Sequence, residues 1–158
     1  MVGSEHDTAV RDRQSPWPLF LGVHATLIGR IEERLRHAGL PEIAWYDVLW
    51  TLERAPDTRL RMHELADMTV ISRTNLTRLV DRLEAAGLVV RARDCDDRRG
   101  AYAVLTPAGR AMRRKMWPVY ARAIDELFDT HLSAAERRLM RKALTRILQA
   151  ARAGKPKP

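Results

Sequence analysis

Residues 94–100, DCDDRRG, place three carboxylates, one thiol and two guanidiniums ahead of a glycine. Guanidiniums on a turn suit the gripping of phosphate or carboxylate oxygens, because their planar N–H fork matches those anions. The thiol offers less. Cys95 is the chain's only cysteine, so an internal disulfide and a multi-cysteine metal site are excluded. Arg93, Arg98 and Arg99 favour its thiolate, whereas Asp94, Asp96 and Asp97 oppose it. A redox-responsive Cys95 therefore stands only as an alternative reading.

Nothing elsewhere points to catalysis. The chain contains no G-x-S-x-G, no glycine-rich phosphate loop and no cysteine–histidine pattern. His6, His24, His37, His63 and His131 form no i,i+3 or i,i+4 pair, so a zinc site is not supported. The expectation is a protein that is not an enzyme and needs no metal or cofactor.

The flanks show what must present the charged tip. LVVRAR (88–93) and AYAVLT (101–106) read as strands, which makes 94–100 the tip of a hairpin. Upstream, RLRM (59–62) is long enough for a brief strand only, and HELADMT gives one or two helical turns anchored by Leu65 and Ala66. A second helix comes next, with Ser72 as N-cap, Leu76, Leu79, Val80 and Leu83 on one face, and Gly87 as its stop. Its opposite face carries Thr74, Asn75, Thr77, Arg78 and Arg82. A short helix, a turn and a second helix make a helix-turn-helix.

Four further helical segments frame this region. From Pro16, Phe20, Val23, Leu27, Ile28, Ile31 and Leu35 recur at helical spacing until Gly39. Trp45, Val48, Leu49 and Leu52 define the next helix, which Pro56 ends. Thr106-Pro107 opens a helix through Met112, Met116, Val119, Ile124 and Leu127, with Pro118 expected to kink it. Ser133 and Glu136 form a capping box before Leu139, Ala143, Leu144, Ile147 and Leu148. The 158 residues thus divide into a flexible arm (1–15), helices for dimerisation and a pocket (16–55), a winged helix-turn-helix (56–106), C-terminal dimerisation helices (107–150) and a disordered tail (151–158).

The net charge of +8 favours polyanionic partners. Thirteen of the 28 basic residues lie in 107–158, against four of the 20 acidic ones, so charge alone does not locate a binding face. No signal-peptide pattern and no bilayer-length apolar run is present, which leads us to expect a soluble cytoplasmic protein without a membrane partner.

The hairpin tip, its second strand and the start of the next helix, Asp97-Arg98-Arg99-Gly100-Ala101-Tyr102-Ala103-Val104-Leu105-Thr106-Pro107-Ala108-Gly109, resemble the D-x-R-x-x-x-V-x-L-T-x-x-G signature of the MarR family of bacterial transcription regulators. Ala103 departs from it, standing where the family prefers valine. TRLVDRLEAAGLV (77–89) matches the family's second helix-turn-helix helix, and the resemblance covers roughly residues 17–150.

The resemblance implies a mainly α fold with a small β-hairpin wing, in which a winged helix-turn-helix is embedded in a helical dimerisation frame. It makes Arg99 the side chain inserted into a minor groove, Asp97 its brace and Arg98 a phosphate contact. Narrow A·T-rich grooves concentrate negative potential, and a braced arginine loses less rotamer freedom on entering one. Arg73, Thr74, Asn75, Thr77 and Arg78 become the candidates for major-groove contacts. The implied partners are a second copy of the chain, double-stranded DNA carrying a roughly palindromic operator, and a small effector such as an aromatic acid or phenol. The implied function is a repressor released by that effector; non-specific architectural DNA binding is the alternative. Candidate pocket residues are Trp17, Phe20, His24, Trp45, Trp50, Arg113, Met116 and Trp117.

Overall fold

Pro16 stands at the N-cap and Pro18 in the first turn of helix α1 (Trp17–His37), positions where a missing N–H costs nothing. The computed structural model describes residues 15–69, 71–93 and 101–153, without the side chains of Arg73 and Arg93. Gly39, at φ +65°, turns the chain out of α1 in a conformation that a Cβ would disfavour. Helix α2 (Ile43–Arg54) then begins with its first N–H bonded across the structure, from Ile43 to a carboxylate oxygen of Glu32 on α1 at 2.9 Å. Glu32 thereby satisfies a backbone donor that the helix itself leaves open.

A 3-10 turn (Pro56–Thr58) leads into β1 (Arg59–Arg61), α3 (Met62–Met68), α4 (Arg73–Ala85), β2 (Val89–Arg93) and β3 (Ala101–Leu105). The three strands form an antiparallel sheet in the order β1-β3-β2. The brief strand read at 59–62 is thus an edge of the wing sheet, with Leu60 opposite Ala103 and Arg61 opposite Tyr102. Alternation along the strands buries Leu60, Val89, Ala103 and Leu105. They join Val48, Leu49 and Leu52 of α2, Leu65 and Ala66 of α3, and Leu76, Leu79, Val80 and Leu83 of α4 in one core. A mainly α winged helix-turn-helix is therefore the observed fold, as the sequence implies.

The junction after the wing is tight. Gly87 ends α4 at φ +69°, and Thr106 closes the gap to the following helix α5 (Pro107–Leu127). The Thr106 hydroxyl donates to the Gly87 carbonyl at 2.8 Å and accepts the Gly109 N–H at 3.0 Å. A Cβ on Gly109 would collide with the Leu88 carbonyl oxygen and lie 2.8 Å from Leu105 Cδ1. Backbone blocks any side chain there, which explains physically why the wing signature closes on a glycine.

The chain forms two compact units, Met1–Tyr120 and Ala121–Pro158. In the second, a 3-10 turn (Asp129–His131) precedes helix α6 (Ala134–Ala153). The expected capping box is present: the Ser133 hydroxyl donates to Glu136 at 2.6 Å, the Ser133 N–H donates to it at 2.8 Å, and the Glu136 N–H returns to Ser133 Oγ at 3.3 Å. These bonds hold the Glu136 carboxyl below its ordinary pKa. None of the α6 residues is buried.

Two expected apolar stripes stay uncovered. Of the α1 set, Ile31 and Leu35 are buried, Leu27 and Ile28 half-buried, and Phe20 and Val23 exposed. On α6, Leu139, Leu144, Ile147 and Leu148 are exposed. Periodicity identifies an apolar face, and no described residue of this chain covers these portions. No helix among the described residues is long and apolar enough to cross a membrane.

Candidate nucleic-acid interface

Helix α4 is amphipathic in the sense that matters for groove binding. Leu76, Leu79, Val80 and Leu83 anchor it in the core, and that burial turns Thr74, Asn75, Thr77 and Arg78 outward together. Ser72 caps its N-terminus, accepting the Asn75 N–H at 3.5 Å, a long bond that adds little. Arg73 is the first residue of the helix, and its side chain is not among those described. Four of the five expected α4 contacts are thus on one exposed face next to a helix N-terminus, which attracts phosphate.

Arg82 has another partner. Its guanidinium pairs with Glu42, just ahead of α2, at 2.5 Å, tying the exposed side of α4 to the α1–α2 connection. A cleft of about 590 Å³ runs beside that link, lined by Glu42, Ala44, Ile71, Asn75, Arg78 and Leu79, among others. Asn75 and Arg78 therefore belong both to the helix's outer face and to a groove along its flank.

The wing strands are placed, and their tip is not described. Asp97, Arg98, Arg99 and Cys95 lie outside the described residues. The outer face of the sheet carries a basic cluster that the motif and charge patterns do not anticipate. Arg59 and Arg61 lie over the Tyr102 ring at 5.0 and 5.4 Å, and Arg61 Nε donates to the Tyr102 hydroxyl at 3.2 Å. The alternation R-L-R at 59–61 is its one signal in the sequence, because residues two apart share a strand face.

The eight candidate pocket residues fall in separate places. Trp17, Phe20 and His24 stack in a run along α1, with ring centroids 6.0 and 6.5 Å apart. Trp45 packs against the core, whereas Trp50 is exposed beneath the Arg54 guanidinium at 4.7 Å. Met116 is fully buried. Trp117 stacks on Tyr46 at 6.0 Å, and Tyr120 meets Tyr46 edge-on at 5.0 Å. Arg113, beside this trio, is held by Glu53 at 2.6 Å, and its Nε is buried without a hydrogen-bond partner.

Burial raises the pKa of the Tyr46 phenol, with Arg113 drawing it partly back. Burial also raises that of Tyr120, assisted by the charge of Asp47. The Asp47 carboxyl itself is pushed up by burial and then by Glu32. Nothing in the sequence pattern singles out Tyr46, Tyr120 or Glu53 as neighbours of Arg113. No group of acids, histidines and cysteines suited to a metal occurs among the described residues.

Comparison with known proteins matches this architecture. A model of the MarR family matches residues 38–100, which span α2, the helix-turn-helix and β2, the first strand of the wing. AbsC, a MarR family transcriptional regulator from Streptomyces coelicolor, is 32% identical, with 87% of this chain and 92% of that chain covered and a TM-score of 0.79. Sco3205, a MarR family regulator of the same organism solved in complex with DNA, is 28% identical over 89% of this chain and 90% of that chain, with a TM-score of 0.77. The HTH-type transcriptional regulator FarR of Neisseria gonorrhoeae is 35% identical over 85 residues, 52% of this chain and 56% of that protein. The chain thus spans about half the length of FarR in that match.

Proposed function

The chain belongs to the MarR family of transcription regulators, and on that premise we propose that it is a dimeric, sequence-specific DNA-binding repressor acting on a roughly palindromic operator. The observation that carries the reading is the outer face of α4. A core-anchored helix presents Thr74, Asn75, Thr77 and Arg78 to solvent beside a hairpin whose tip sequence is DCDDRRG. Asparagine and arginine can make paired hydrogen bonds to adenine and guanine edges, and threonine can meet a thymine methyl. Arg73 joins this set by position, while Asp97, Arg98 and Arg99 serve the adjacent minor groove.

Fluorescence anisotropy against labelled duplexes tests the proposal. One operator is expected to bind at least ~10³-fold more tightly than random duplex of equal length. Equal affinity for both would replace specific regulation with architectural binding.

For the effector we propose a flat aromatic acid or phenol held by the frame's aromatic residues. Support comes from the half-buried Arg113 with its unpartnered Nε beside the Tyr46–Trp117 stack. Glu53 answers the Arg113 charge through the Nη2 nitrogen, which leaves the Nε–H to donate to a phenol or carboxylate oxygen. Such a ligand is expected to quench tryptophan fluorescence and to weaken operator binding, with a coupling of about 1–3 kcal/mol felt equally by DNA and ligand. Compounds of this class that bind without changing operator affinity would sink the coupling.

A further inference from the structure

Arg91, on β2, is spent on the recognition helix rather than on solvent. Its guanidinium reaches Asp81 at 2.6 Å, Glu84 at 2.8 Å and the Thr77 carbonyl at 3.5 Å. Its own backbone N–H donates to the other Glu84 oxygen at 2.9 Å, so one carboxylate holds both the strand's backbone and its side chain. Thr77, Asp81 and Glu84 recur at spacings of four and three, which puts them along one flank of α4. Burial works against the Arg91 charge, and the bonds and charges of Asp81 and Glu84 outweigh it.

From this geometry we infer that Arg91 is a positioning residue for DNA binding: it clamps β2 to α4 and so sets where the wing tip stands relative to the recognition helix. β2 runs on from Arg91 to Arg93, so the clamp fixes the strand that leads into the tip sequence. The acids involved are partly exposed, so the clamp contributes little to folding. Its consequence is geometric, because a braced arginine displaced from its groove loses its contact altogether. The inference rests on the wing reading of Arg99 and adds to it.

A double-mutant cycle in the full-length chain tests it, with Arg91→Gln, Arg99→Ala and the double variant titrated against the operator. Arg91→Gln is expected to weaken binding roughly tenfold when Arg99 is present and less than about twofold when it is absent. The melting temperature is expected to move by only a few degrees. Arg91→Lys, which keeps the charge and loses the fork, should recover part of the affinity. Equal losses from Arg91→Gln in both backgrounds would overturn the positioning role while leaving the wing reading in place. An Arg99→Ala protein with undiminished affinity would overturn both. Should Arg91→Gln fail to fold, Glu84→Gln enters the same cycle: its carboxamide oxygen still accepts the Arg91 N–H while the charge pairing is lost.

Discussion

Ile147→Asp is expected to turn the protein from a dimer into a folded monomer with little operator affinity. In the single chain Ile147 is 61% exposed, and Leu139 and Leu148, also on α6, are 67% and 51% exposed. Soluble monomers rarely expose so many large apolar side chains on one helix, and a second copy of the chain is the partner proposed above to cover them. A carboxylate at this position costs the monomer little, because water already reaches it. At an interface it must be desolvated, at about several kcal/mol, and a twofold axis imposes that cost twice. The dimer dissociation constant should rise by at least ~10³-fold. Operator affinity then falls because the two half-sites are no longer engaged together. Sedimentation velocity reads the first effect and anisotropy the second. Arg146→Asp, which replaces a charge already exposed on α6, should remain dimeric. A dimer unchanged by Ile147→Asp would move the interface elsewhere.

Arg99→Ala should cost about 1–3 kcal/mol of operator binding while leaving the dimer and its melting temperature intact. The physical basis is the entropy of a braced side chain: a guanidinium pre-aligned by a carboxylate enters a narrow, strongly negative groove without first losing many rotamers. Asp97→Ala, which frees the arginine without removing it, should fall between Arg99→Ala and the unaltered protein. The loss should be larger on operators whose outer segments are A·T-rich. Undiminished affinity would reject the wing assignment, whatever α4 does.

Much of the DNA-binding half was legible because its local signals are redundant. Gly87 sits at positive φ where the sequence stops α4, Ser72 caps that helix where expected, and four leucine and valine positions of α4 fall inside the core. The frame was less legible for a physical reason. Periodicity reports that a face is apolar and says nothing of what covers it, so it does not tell that Phe20, Val23, Leu139 and Ile147 are exposed in the single chain. Charge partners were hidden in the same way. Glu53 lies 60 positions from Arg113 and meets it only because α2 and α5 pack together. The Arg91 clamp is nearer in sequence, and what concealed it was the hairpin's own pattern, in which Arg91 passes for an ordinary surface residue of a strand.

Hydroxyl-radical footprinting of the operator tests the central claim most directly. If two copies present α4 and the wing to one face of a palindrome, protection should appear as two symmetry-related patches one helical turn apart, about 10 base pairs centre to centre or a multiple of that. Weaker protection should flank them where the wing tips enter the minor groove, and the Arg99→Ala protein should lose those flanks while keeping the central patches. Uniform protection along the duplex, or a single patch without symmetry, would contradict the account of a paired, sequence-reading regulator.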